Sequence, residues 1–478
     1  MKSTAYFKVS YFLFLGLLLL SFIGGASSVQ AYRLEEYALP PGDSAPNGIT
    51  LGPDGNIWFV EALGDRVSWI SPDGQTIMGY PTLTPLSGPE HITTGPDGNI
   101  WFTEWDENKI GRISPEGTNQ QEFSTPTQPS HPAGIITGPD GNLWYAEDRS
   151  NNIVRLTVDG VFTEFPIPTA NSHPFYLCNG PDGNIWFVEF TGSQIGRLNP
   201  DTGVIDEYPT ITPNGGLYDI ATGSDGNLWF TDGDNNLIGR ISPDGSSMQE
   251  YPIPTEDSVP FGIVAGADGN LWFAEFIGNN IGVMNTLGEV IMEIPVPTAD
   301  SWPLELTLDA IGNVWFTERQ GNKIGKIILA LIQMNAPGFS VEEGTPSLTL
   351  TITRSQDTTH EDRVDFSTAD GSALAGVDYV PLQSTLIFAP GETEKTLTIQ
   401  LLDNPNANGD RSLSLNFNNP TFGVLLGDNQ TLIITSPEGG GCGLNSQTHF
   451  SEFSYILSSF LIFLFWVFGK KRALTRSS

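Results

Sequence analysis

Three of the chain's five histidines fall in matching places. His91 lies in "GPEHI", His131 in "HPAGI" and His173 in "HPFYL", each within two residues of a proline. Histidine changes charge near neutral pH, so these are the candidate general bases. Four more stretches share the pattern: "APNGI" (45–49), "GLYDI" (216–220), "VPFGI" (259–263) and "WPLEL" (302–306). Together the seven stretches gather Asn47, Glu90, Tyr176, Tyr218, Asp219, Phe261, Trp302 and Glu305. Such a mixture offers ligand binding through polar and aromatic contacts, or proton transfer by a histidine. The plainer reading makes His131 and His173 loop residues that stack before prolines.

A second set of acids recurs without variation. Glu61, Glu104, Glu147, Glu189, Asp232, Glu275 and Glu318 each stand three residues after a tryptophan. One reading is a carboxylate ring that binds cations. The other, favoured because Asp and Glu so often serve local turns, is that each caps the backbone donors of the next turn. Arg112, Arg155, Arg197 and Arg240 recur too, and are expected to be surface partners of these acids. A single site must break the repeat's symmetry. The variable proline stretches are therefore the place to look, and the constant positions are expected to be architecture.

The elements that must position these residues follow from the period. Trp58, Trp101, Trp144, Trp186, Trp229, Trp272 and Trp315 are spaced 43, 43, 42, 43, 43 and 43 residues apart. A strict period in this range signals a solenoid or propeller. Each period holds a "GPDGN" turn, an all-apolar run such as "IWF", a second strand such as "KIGRI", a proline-bearing strand such as "EYPIPT", and the "PxGI" segment. Four strands per period make a propeller blade. An all-apolar strand has both faces covered. Prolines, which cannot donate to a ladder, place their strand at the edge. The proline strand occurs seven times, but its first copy precedes the first tryptophan and none follows the last period. The N-terminal strand is therefore expected to complete the seventh blade. The result is an all-β chain with a seven-bladed β-propeller over residues 33–332, expected to stand as a monomer.

The phrases "GPDGNIWFTE", "NKIGRISPDG" and "EYPIPT" resemble the streptogramin B (virginiamycin B) lyase family. That resemblance implies a carbon–oxygen lyase acting on a cyclic ester, with histidines directly after the prolines of the last two blades and magnesium held by nearby carboxylates at the axis. Here those histidine positions carry Phe261 and Leu304, and the acid expected before the last proline is Trp302. Glu318 matches a metal-side carboxylate but makes no site alone. A Phe and a Leu accept no proton. The expectation is a propeller that binds a small-molecule, peptide or cell-surface ligand at its central mouth, with the lyase as the alternative.

After Leu329 the repeat stops. Residues 338–436 alternate as strands, six or seven of them, which suggests a β-sandwich. "STADGSALAGVDY" (367–379) and "FAPGETEKTLTI" (388–399) resemble the Calx-β domain. That resemblance implies calcium bound by Glu342, Glu343, Asp370, Asp378 and Asp403. Asn408, Gly409, Asp410 and Arg411 stand where the family has an acidic run. Fewer carboxylates and an added arginine are expected to weaken the site.

Composition and the chain ends bound the setting. The net charge is −34 over 478 residues, which excludes a phosphate backbone as a partner. Residues 1–31 combine Lys2 and Lys8, an apolar run and "SSVQA", the pattern of a cleaved signal peptide. Residues 437–452 form a Gly-rich linker, residues 453–468 an apolar transmembrane segment, and residues 469–478 a basic cytoplasmic tail. Linker, span and basic cluster resemble a bacterial sorting signal. Cys442 is then a processing or lipidation point, or else a free thiol beside a plain anchor. Both domains are expected on the extracytoplasmic side.

Overall fold

The computed structural model describes residues 32–436, apart from Asp43, 335–338, 357, 359–360, 405–408, 419–422 and 427–428. The expected signal peptide, linker, membrane segment and Cys442 lie outside the described residues. No described helix is long and apolar enough to cross a membrane.

Seven four-stranded antiparallel sheets follow one another along residues 33–328 of the described chain. Blade 2 shows the plan: inner strand Pro89–Thr94, second Ile100–Glu104, third Lys109–Ile113 and outer Gln121–Ser124. Adjacent inner strands touch all the way round, and that of blade 7 meets that of blade 1, so the ring is closed. Arg33–Ala38 pairs with Lys323–Ile328 as the outer strand of blade 7, the closure expected from the proline strands. Tyr37 stacks on Trp315, and Glu36 takes Thr298 N and Lys323 Nζ, both at 2.9 Å.

The repeated phrase now has a physical account. Every second strand is buried along its whole length. Burying an indole leaves its N–H in need of an acceptor. The turn aspartate supplies it, from Asp54 to Trp58 at 3.1 Å through Asp309 to Trp315 at 3.1 Å. The first glycine of "GPDGN" is needed because a Cβ on Gly95 would sit 2.3 Å from Trp101 Cδ1.

The recurring arginines do not pair with the acids after the tryptophans. In a five-residue hairpin Arg112 faces Trp101, while Glu104 lies at the far end opposite Lys109. The guanidinium of Arg112 covers the Trp101 ring at 5.0 Å and contacts the turn's Asp97 at 3.4 Å. The capping role expected of the acids appears at Asp232, which accepts Asn235 N at 3.1 Å. Glu147 and Glu275 accept asparagine side chains instead, at 3.2 and 2.9 Å. Glu104, Glu189 and Glu318 are buried beside the outer-strand carboxyls of Glu122, Glu207 and Glu36. Burial first, and that neighbour second, push each of them up to about 8.

The second unit is a two-sheet sandwich with nine strands among the described residues, in sheets of four and five. It begins before residue 338. Ala330–Met334 pairs with Ser347–Gln356 and runs parallel to Gly423–Leu426. That strand directly follows the last propeller strand, which ends at Ile328, so the boundary falls where the repeat stops. The core is built on Ile352, Phe366, Phe388, Ile399, Leu415 and Leu432.

Candidate functional site

Each inner strand starts at its proline (Leu217 in blade 5), and its register slips before the ladder resumes three residues later. Such a bulge takes two residues out of the ladder and re-aims their side chains. These are the variable residues. Rings from blades that are not neighbours meet here, which is possible only at the axis. Phe175 of blade 4 lies 6.0 Å from Phe261 of blade 6 and 6.2 Å from Trp105 of blade 2.

The position two past the proline forms the deep layer. It is glycine in blades 1, 3 and 6 (Gly48, Gly134, Gly262) and a larger residue in the others (His91, Tyr176, Asp219, Glu305). The glycines give room to their neighbours: a Cβ on Gly134 would sit 2.9 Å from Tyr176 Cα. His91 Nδ1 accepts Ile135 N at 3.1 Å, and Asp219 Oδ2 accepts Ile263 N at 2.8 Å. Each thus satisfies an N–H that the next blade's bulge has freed. Desolvation lowers His91 to about 4, which keeps it neutral as an acceptor. Desolvation raises the carboxyls of Asp219, Glu90 and Glu305, and for Glu305 the neighbouring Asp219 and Glu90 add to it. His91 and Asp219, expected as site residues, are therefore structural acceptors. Glu305 lies in the same layer beside Tyr176.

The mouth lies above. Tyr218 stacks on Phe261 at 4.4 Å, Phe261 meets Phe276 at 6.1 Å, and Phe276 meets Trp302 at 5.2 Å. On the other flank Trp105 meets His131 edge-on at 5.1 Å. Aromatics thus line the mouth from blade 2 to blade 7. A polar pole closes the ring: Arg319 donates to Asn47 Oδ1 at 2.6 Å, and Asn47 donates to Glu90 at 2.5 Å. A cavity of about 310 Å³ opens between the two, lined by Ala62, Leu63, Gly88, Glu90, Trp105, Asp106, Phe175 and Arg319. This is the lower end of the size range for small-ligand sites.

The residue before each proline is held in the left-handed region, with φ of 48° at His131, 54° at His173 and 57° at Trp302. This turn presents the side chain against the residue four past the preceding blade's tryptophan. The pairs are Trp105 with His131, Phe276 with Trp302, and Asp148 with His173. The last is polar: His173 Nδ1 lies 2.8 Å from Asp148 Oδ1. A carboxylate at Nδ1 orients an imidazole for proton transfer at Nε2.

Trp105, Asp148, Phe190, Phe276 and Arg319 were missed from the sequence. They share one position, the residue after the constant acid, where Ala62 and Gly233 complete the series. Its variation between blades is the signal that finds them. Of the positions where the lyase resemblance expects histidine, Phe261 belongs to the aromatic stack and Leu304 is buried.

Magnesium at the axis does not fit the side chains present. Asp219 is engaged by backbone donors, Glu90 by Asn47, and Glu318 lies beside Glu36 and Lys323. Among the described residues no three His, Cys, Asp or Glu side chains converge on a metal-sized position. The expected calcium site fares alike. Glu343 and Asp378 come together, but around the guanidinium of Arg411. Asp370 is held by Tyr379 OH at 2.6 Å and Ala375 N at 2.8 Å. Glu342 and Asp403 make no side-chain hydrogen bond among the described residues.

The profile of the virginiamycin B lyase family matches residues 29–168 and 77–335, and that of the Calx-beta domain residues 329–437. A solved streptogramin B lyase is 35% identical, covering 62% of this chain and 97% of its own, with a TM-score of 0.59. A catalytically inactive virginiamycin B lyase from Staphylococcus aureus, solved with quinupristin, is 35% identical over 62% of this chain and 99% of its own, also with a TM-score of 0.59. Sodium/calcium exchanger 2 from Homo sapiens is 40% identical over 78 residues, 16% of this chain and 8% of the exchanger. Integrin beta-4 from Homo sapiens is 29% identical over 116 residues, 23% of this chain and 6% of the integrin. The chain thus spans less than a tenth of these curated relatives.

Proposed function

The chain belongs to the virginiamycin B lyase family, and from that premise we propose that its propeller binds a ring-bearing small molecule or short cyclic peptide at the axial mouth. The observation that carries this reading is the run of aromatics from Trp105 through Phe261 to Trp302, facing the Arg319–Asn47–Glu90 pole. Aromatic walls recognise rings by stacking and by area buried, and the pole fixes orientation by hydrogen bonds. The ends of the sequence support display of both domains outside the cell, anchored through residues 453–468. The sandwich then serves as a spacer between membrane and propeller.

Calorimetric titration with quinupristin and a panel of aromatic cyclic peptides tests this reading. Replacing Trp105 and Phe261 together by Ala is expected to weaken any bound member at least tenfold. Binding that survives the double substitution unchanged would refute a mouth site.

A second reading, a lyase, is favoured by one observation, the His173–Asp148 pair. It supplies an oriented base in blade 4, where the resemblance expects histidines only in the last two blades. Elimination at a cyclic ester would use the free Nε2 of His173 to take the proton from the carbon next to the one bearing the ester oxygen. The C–H electron pair becomes a C=C bond as that alkyl carbon–oxygen bond breaks, and the ester leaves as a carboxylate.

A further inference from the structure

We propose that Arg411 fills, as a covalently attached cation, the place where a Calx-β sandwich would hold calcium, so that the acidic end of this sandwich is organised without the ion. Arg411 opens the strand Arg411–Asn418, and its guanidinium is buried between two loops. One of its amino groups lies 2.5 Å from Asp378 Oδ1, and the other pairs with Glu343. Both acids are also held by neutral donors. Asn404 donates its N–H to Glu343 Oε1 at 2.8 Å and its amide to Asp378 Oδ1 at 2.7 Å. Leu374 N holds Asp378 Oδ2 at 2.8 Å.

Calcium demands six to eight oxygens around one point. A guanidinium aims N–H donors at the same carboxylates, so the two cations exclude each other. A fork-shaped donor also suits two carboxylates held side by side. Asn404 adds neutral donors to both acids, which suits a site built around an internal cation. The sandwich then differs from a calcium sensor in kind: its loops have one state, and it acts as a stiff spacer.

Hydrogen–deuterium exchange of the full chain, read in peptides spanning 374–378 and 402–404, tests this. With calcium alone as the probe, exchange in the natural chain is expected to be the same in chelator and in millimolar calcium. R411A is expected to exchange at least tenfold faster in chelator and to recover protection with calcium, because Glu343 and Asp378 are then free to bind it. R411K keeps a cation in place and is expected to remain insensitive, which separates loss of charge from a general folding defect. Calcium-dependent protection in the natural chain overturns the proposal. So does an R411A chain that stays insensitive to calcium, whether its loops have loosened or not.

Discussion

Asp219 Oδ2 accepts the backbone N–H of Ile263 at 2.8 Å, reaching from blade 5 to blade 6 at the axis. Its other oxygen takes Ile220 N at 2.7 Å. The acid therefore ties two bulged inner strands together. Replacing it with Ala orphans two buried donors, at about 1–3 kcal/mol each. D219A is expected to lose about 3 kcal/mol in urea unfolding, and D219N, which keeps one acceptor, roughly half of that. A D219A chain with unchanged stability and altered ligand binding would return Asp219 to the binding site.

Much of the ring was legible because its information is periodic. Trp58 to Trp315 set the blade count, and the surplus proline strand at Glu36 set the closure. What stayed hidden depends on register. That Arg112 faces Trp101 and not Glu104 follows only once the hairpin turn is placed. That His91 and Asp219 serve the backbone follows only from a bulge in the next blade, whose trace in the sequence is Gly134 or Gly262. Trp105 and Arg319 were hidden by their neighbours, since each follows a constant acid that marks its segment as architecture. In the sandwich, Arg411 was legible as a misfit among expected acids, but its insertion between Glu343 and Asp378 needed coordinates.

Glu104, Glu189 and Glu318 hold their protons up to about pH 8 in the folded ring, against the usual 4.5. Between those values the native state binds more protons than the unfolded chain, so stability falls as pH rises. Each group contributes at most about 1.4 kcal/mol per pH unit. Glu36 and Glu122, held low despite burial by lysine and threonine partners, act oppositely and lose their contribution in acid. The melting temperature of the propeller is therefore expected to drop by several degrees from pH 5 to pH 9. The triple variant E104Q/E189Q/E318Q is expected to flatten that slope. An unchanged slope in the variant would show that these carboxyls are already ionised at low pH.

Ring closure rests on a few contacts of the N-terminal strand. Tyr37 stacks on Trp315 with ring centres 5.7 Å apart, and Glu36 holds Thr298 and Lys323. Losing most of a partly buried aromatic ring costs about 2–3 kcal/mol, somewhat less than full burial would. Y37A is expected to lower stability by that amount and to speed proteolysis at residues 32–40. Truncation of an exposed side chain, V161A, serves as control and is expected to change neither. Wild-type protease resistance in Y37A would mean that the ring closes without this strand's aromatic anchor.

The His173–Asp148 pair separates the two functional readings. Proton transfer by a positioned side chain is worth about 10²–10⁴ in rate. If the propeller is a lyase working through this base, H173A is expected to reduce kcat/KM on a streptogramin B by at least 10². D148N, which leaves the ring unoriented, is expected to fall between H173A and the natural chain. Neither change touches the aromatic wall, so affinity for the unreacted ligand is expected to stay within about twofold, roughly 0.4 kcal/mol. Turnover retained in H173A would exclude this base. Binding without turnover in the natural chain would leave Asp148 as an anchor that aims His173 at a ligand, the polar counterpart of Phe276 behind Trp302.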